Sequence, residues 1–104
     1  MPKYNKLVRD RIPEIIENSG KTAHTHLLGD EEYIAELDRK LGEEYAEYQA
    51  DKNIEELADM LEVIYAIAKA RGASVEELER VRKEKAEKNG AFEKKIFLEE
   101  VDDV

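Results

Sequence analysis

Apolar residues recur at three- and four-residue spacings along most of the chain, a period that predicts helices. Residues 5–18 read as a short first helix, with Pro13 tolerated in its first turns and Ser19-Gly20 ending it. Ile34, Leu37, Leu41, Tyr45 and Tyr48 define the apolar face of a long helix capped by Asp30 and running to about Ala50. Asn53 followed by Glu56 is a capping-box signal for the next helix, which stops at Arg71-Gly72. Ser74 with Glu77 opens a last helix that ends near Asn89-Gly90. Residues 21–28 alternate weakly, and the tail 94–101 carries Ile96-Phe97-Leu98, so these two stretches are candidates for one small extended pair.

The pattern predicts an all-α fold: an antiparallel bundle of three main helices with a short N-terminal one, since short loops make neighbours antiparallel. At 104 residues, positions 1–104 form one domain. The helix from Ile54 to Ala70 is apolar almost all round, through Leu57, Met60, Leu61, Val63, Ile64, Ile67 and Ala68. Such a helix is expected to be central and buried. So small a chain has difficulty covering it, which predicts a homodimer or higher homo-oligomer with sites near the interface.

Charge narrows the partners. The formal net charge is −9, so nucleic-acid backbones and anionic membranes are not expected partners. A nucleotide would be repelled as well, unless metal ions or a local cluster of Lys and Arg receive it. There is no Cys, no apolar run at the N-terminus and no apolar stretch long enough to span a bilayer, which together predict a cytoplasmic protein.

The placement of acids on these helices is more informative than their number. On the long helix Glu43 falls nearly opposite the apolar face and is expected to be solvated. Glu44 falls on the edge of that face, with Lys40 and Glu47 just beyond, so the three form one stripe. On the next helix Glu56 is bracketed by Met60, Val63 and Ile67, and Asp59 lies one turn along beside Ala66 and Ala70. An unpaired carboxylate beside a core costs about 2–5 kcal/mol unless it is paired or bound to metal. Two helices, each offering acids at i and i+3, can converge on a hard cation. Oxygen-only ligands favour Mg²⁺ or Mn²⁺ over Zn²⁺. The competing reading is a generic charged surface, in a chain with 26 acidic residues.

The same residues resemble a known signature. Glu43-Glu44-Tyr45-Ala46-Glu47 followed by Glu56-Leu57-Ala58-Asp59 resembles the E-E-x-x-E … E-x-x-D pattern of all-α nucleotide pyrophosphohydrolases. That superfamily includes MazG-like proteins, dimeric dUTPases and phosphoribosyl-ATP pyrophosphohydrolases. Residues 4–13, Tyr-Asn-Lys-Leu-Val-Arg-Asp-Arg-Ile-Pro, are similar to the opening of a MazG-like, phosphoribosyl-ATP-pyrophosphohydrolase-like branch, as are Lys40-Leu41, Lys85 through Gly90-Ala91-Phe92, and Ile96. The resemblance implies Glu44, Glu47, Glu56 and Asp59 as ligands of Mg²⁺, with Glu43 supporting or orienting a water. The chain departs from the pattern in having only eight residues between Glu47 and Glu56, which demands a tight connection.

What the resemblance implies is hydrolysis of a nucleoside triphosphate to monophosphate and pyrophosphate, with Glu44 or Glu47 taking a proton from the attacking water. Phosphoribosyl-ATP is the alternative substrate, and a non-catalytic nucleotide-binding or regulatory module is the alternative class. For phosphate contact, Leu78 and Val81 mark the inward face of the last helix, and Lys85, Lys88 and Asn89 continue that stripe, with Arg82 at its edge. Lys85 and Lys40 are the leading candidates, against the alternative that their stems cover apolar surface. Lys6, Arg9 and Arg11 are expected to be solvated, the alternative being that they reach phosphate across a subunit interface. His24 and His26 read as an exposed alternation and Tyr33, Tyr45, Tyr48 and Tyr65 mostly as core.

Overall fold

The structure is a computed structural model and describes residues 2–103. Four helices follow one another: α1 (Ile12–Asn18), α2 (Asp30–Asp51), α3 (Ile54–Ala70) and α4 (Val75–Asn89). α2 packs closely on α3, α4 touches α3 alone, and α1 packs on no other helix. The fold is all-α, with the α2–α3 hairpin as its centre.

Local chemistry sets the helix ends. The Asn53 side chain accepts from the Glu56 backbone N–H at 3.0 Å, and Ser74 accepts from the Glu77 N–H at 3.0 Å. Both therefore satisfy donors that a first turn leaves orphaned. α2 and α3 are separated by Lys52 and Asn53 alone. Lys52 makes this turn possible by adopting φ 54°, in the left-handed region that a non-glycine residue enters at a cost of about 1–2 kcal/mol. Its N–H donates to the Tyr48 carbonyl at 2.8 Å, closing the end of α2, and its ammonium lies 5.1 Å from the centre of the Tyr48 ring.

The fold departs from the sequence expectations at four places. α1 starts at Ile12 rather than Asn5: Pro13 has no N–H to give the Arg9 carbonyl, so no helical turn propagates back through residues 5–11. Gly29, not Asp30, is the N-cap of α2, and Asp30 lies inside the first turn, where its charge favours the helix dipole. The described residues contain no strand, so the extended pair of 21–28 with 94–101 does not form. Leu27 and Phe97 are 98% and 88% exposed, and a lone two-stranded pair without a covered apolar face is marginal in water. Finally, α3 is not enveloped: Val63 is buried, but Ile54, Leu57 and Leu61 remain exposed.

The core is correspondingly thin. Among the described apolar residues only Leu37 and Val63 are buried, surrounded by half-buried Ile34, Leu41, Met60, Ile64 and Ile67. The radius of gyration is 18.6 Å, against about 13 Å for a compact domain of this length.

Candidate metal centre

The tight α2–α3 turn places the last part of α2 beside the first part of α3, and four carboxylates meet there. One oxygen from each of Glu44, Glu47, Glu56 and Asp59 lies within 4.8 Å of the others. An ion with oxygen bonds of about 2.1–2.5 Å bridges oxygens up to about 4–5 Å apart, so the spacing suits a hard divalent cation.

Glu44 sits deeper than the sequence indicates. The inward positions of α2 are Ile34, Leu37, Leu41, Glu44 and Tyr48, while Tyr45 is 53% exposed. The seam thus runs through Glu44 at a spacing of three and four residues, and the carboxylate takes a place that Tyr45 was expected to hold. Glu44 is only 7% exposed, and its Oε2 has no hydrogen-bond partner. Glu56 is half-buried as a residue, yet its Oε2 is out of reach of solvent and equally unpartnered. Such oxygens are costly to leave bare.

Burial pushes the Glu44 carboxyl above the usual carboxylate range, Glu47 and Asp59 push it the same way, and Lys40 opposes them. Glu56 is also raised, by desolvation first and then by the neighbouring Glu47 carboxyl, with Asp59 and Asp51 adding to it. The cluster resists holding its charge. A bound divalent cation would remove both the repulsion and the missing coordination.

Lys40 is half-buried, with Nζ 3.5 Å from Glu44 Oε1 and 3.4 Å from Glu43 Oε2. Glu43 is therefore not simply solvated: it holds the ammonium that partly neutralises Glu44. Glu47 is the exposed member of the cluster, and Asp59 is half-buried.

The cations proposed for phosphate divide differently from expectation. Lys85, Lys88 and Asn89 are exposed on α4, which touches α3 but not α2, and none of them forms an ion pair or side-chain hydrogen bond among the described residues. Lys40 and Lys85 are thus on helices that do not meet. Arg82 is held by Glu79 at 2.9 Å, which lowers the Glu79 carboxyl through their hydrogen bond. Arg9, expected to be solvated, is 57% exposed and also donates from Nη2 to Asp59 Oδ1 at 2.7 Å. No helical period could have revealed that contact, because residues 2–11 are not helical.

The fold and this site together define a class: an all-helical protein in which a helical hairpin gathers four carboxylates suited to a hard cation. Comparison with known proteins adds one relative. A Mycolicibacterium smegmatis protein described as uncharacterized is 58% identical over 45 residues, which are 43% of this chain. Those residues span 46% of the relative's own length. No protein-family profile matches the chain, and no solved structure matches it.

Proposed function

We infer that this protein is a Mg²⁺-dependent nucleoside triphosphate pyrophosphohydrolase, releasing nucleoside monophosphate and pyrophosphate. The observation that carries the reading is the convergence of Glu44, Glu47, Glu56 and Asp59, two of them with unpartnered buried oxygens. The spacing of these acids on two consecutive helices is also what resembles the MazG-like superfamily.

Glu44, Glu47, Glu56 and Asp59 would hold the metal. Bound there, Mg²⁺ would offset the charge of the phosphates and acidify water, with Mn²⁺ as the natural substitute. Glu47, open to solvent, would accept a proton on a carboxylate oxygen from the attacking water, its exposure favouring it over the buried Glu44. Glu44 is the buried member, where Lys40 would keep it oriented and Glu43 would in turn keep Lys40 in place. Lys85, Lys88 and Asn89 remain candidate substrate contacts, which would require α4 of a second copy or a movement of their own.

A second copy has independent support. Ile54, Leu57 and Leu61 lie on one face of α3, at 75%, 44% and 45% exposure. An exposed stripe of this kind on the central helix favours a homodimer or larger homo-oligomer built on α3. No helix of the described chain is long and apolar enough to cross a membrane, and a cytoplasmic enzyme acting on free nucleotides is the accompanying proposal.

The test is release of pyrophosphate from a panel of nucleoside triphosphates and phosphoribosyl-ATP, with Mg²⁺ and with chelator. Mg²⁺-dependent release from any member supports the reading and identifies the substrate. Stoichiometric nucleotide binding without release, at saturating Mg²⁺, would instead make the protein a binding module.

A further inference from the structure

An acidic protein that accepts a polyphosphate needs cations at the site, and the geometry points to a source outside the helical bundle. We propose that Arg9, carried by the N-terminal arm of residues 2–11, is the polyphosphate-contacting residue of the four-carboxylate site. This inference rests on the nucleotide reading above.

The arm carries Lys3, Lys6, Arg9 and Arg11 against a single acid, Asp10, in a chain of net charge −9. It has no helical structure and crosses fifty residues of sequence to reach α3, with Leu7 the one half-buried side chain among residues 2–11. Its polar attachment is the Arg9–Asp59 pair, at 2.7 Å, with the two side chains 57% and 38% exposed. A pair so open to solvent contributes at most about 1 kcal/mol to the fold, so the contact is readily exchanged. Its position is what distinguishes it, because Asp59 is one of the four converging carboxylates.

Several other cations are committed elsewhere, and the uncommitted Lys85 and Lys88 lie on α4, which does not touch α2. Lys40 is only 18% exposed and sits between Glu43 and Glu44. Arg11 pairs with Glu14 at 3.4 Å, and Arg82 with Glu79. Arg9 uses one guanidinium nitrogen on Asp59, and its other N–H donors make no hydrogen bond among the described residues. A planar guanidinium with several donors grips phosphate oxygens bidentately, as an ammonium cannot. Asp59 thereby parks the guanidinium at the mouth of the site until an oxyanion arrives.

Inorganic tripolyphosphate is the probe, because it carries the phosphates without a base or sugar. Calorimetric titration of the full chain at saturating Mg²⁺ should show binding that weakens at least tenfold in Arg9→Gln. Arg9→Lys should recover part of it, and Lys3→Gln, which removes equal charge from the same arm, should stay within twofold of the parent. Mg²⁺ titrated alone should bind Arg9→Gln no more weakly than the parent, since Asp59 has only lost a competitor. Retained helicity by circular dichroism excludes a folding defect, and Arg9→Lys supplies the comparison in a charge-conserving background. If Arg9→Gln binds tripolyphosphate like the parent, the role of Arg9 is refuted while the site's affinity for polyphosphate stands. If it loses Mg²⁺ and tripolyphosphate equally, Arg9 only positions Asp59, and the proposal fails. If the parent binds Mg²⁺ but no tripolyphosphate, the nucleotide reading falls, and this inference with it.

Discussion

Replacing Glu44 by Gln should make the metal-free protein more stable, and the size of the gain follows from what surrounds the carboxylate. Glu44 is 7% exposed and has three other carboxylates with an oxygen within 4.8 Å. At an effective dielectric of 20, one like charge at that distance repels by about 3 kcal/mol, and Lys40 at 3.5 Å attracts by about 5 kcal/mol. The single cation is shared with Glu43 and cannot offset several acids together with desolvation. The raised Glu44 pKa has the same sign. Gln keeps the shape, discards the charge and offers an amide N–H to its acidic neighbours. After allowing for solvent screening and for Arg9 on Asp59, the gain is about 2 kcal/mol, or roughly 10 °C in Tm. Mg²⁺ should reverse the order: the parent gains about 2.7 kcal/mol at a hundredfold excess over Kd, and the variant gains far less. Thermal melts by circular dichroism with chelator and with Mg²⁺ measure both arms. If Glu44→Gln melts below the parent in chelator, the Lys40 pair outweighs the repulsion and the electrostatic argument is wrong. If the curves never cross with Mg²⁺, Glu44 is not a ligand.

Other consequences are as direct. Glu44 and Glu56 have folded pKa values raised above their unfolded ones, so the native state binds the extra protons: without metal, these groups add stability as pH falls from neutral toward the ordinary carboxylate range, and that gain is lost as pH rises through the raised values. Melts from pH 7 to pH 5 should therefore shift upward in chelator and much less with saturating Mg²⁺ or in a Glu44→Gln/Glu56→Gln double variant; an equal shift in all three would assign the effect to net charge alone. Glu56→Gln should lower Mg²⁺ affinity at least tenfold and abolish pyrophosphate release while leaving helicity intact, by calorimetry and a phosphate-coupled assay. Leu57→Lys with Leu61→Lys should convert a sedimenting oligomer to monomer, and a parent already monomeric at micromolar concentration would contradict the oligomer. Asn53→Ala removes the acceptor for the Glu56 N–H and should cost about 1 kcal/mol, read as a lower urea midpoint.

Sequence periodicity located α2, α3 and α4 to within a residue or two, because caps and apolar spacing reinforce one another there. Asn53 and Ser74 satisfy the first-turn donors their spacing to Glu56 and Glu77 implied. The convergence of the acids was legible for a related reason: a two-residue connection between helices sets which levels of α2 and α3 face each other. Helical-wheel geometry failed by one residue on α2, where an ideal 100° increment favours Tyr45 and the packed seam selects Glu44 instead. Two packed helices follow a spacing closer to 3.5 residues, which rotates the inward face slightly along the chain. The non-helical segments were the least legible, since nothing periodic fixes the arm of 2–11 or the tail of 94–101.

Two of the departures share a physical origin, and it bears on function. Tyr45 inward and the tail paired with residues 21–28 both assumed that the chain covers apolar surface it leaves open, as it does on α3, which the sequence already marks as hard to cover within one copy. The described chain leaves Ile54, Leu57, Leu61, Phe92, Ile96 and Phe97 exposed and buries a carboxylate instead. Burying Glu44 in place of a tyrosine sacrifices apolar contact worth about 1.5–3 kcal/mol and adds a desolvation cost. A chain with so thin a core tolerates that only if something outside it supplies the difference. Metal at the acids and a second copy over α3 would do so from the two sides of the same hairpin, which couples the two proposals. Mg²⁺ should then tighten self-association as well as raise Tm, because both act on the packing of α3. Sedimentation of the parent and of Glu44→Gln across an Mg²⁺ series separates the cases: the coupling predicts a metal-dependent shift in the parent alone, and association indifferent to Mg²⁺ in both proteins would show that the site and the α3 face act independently.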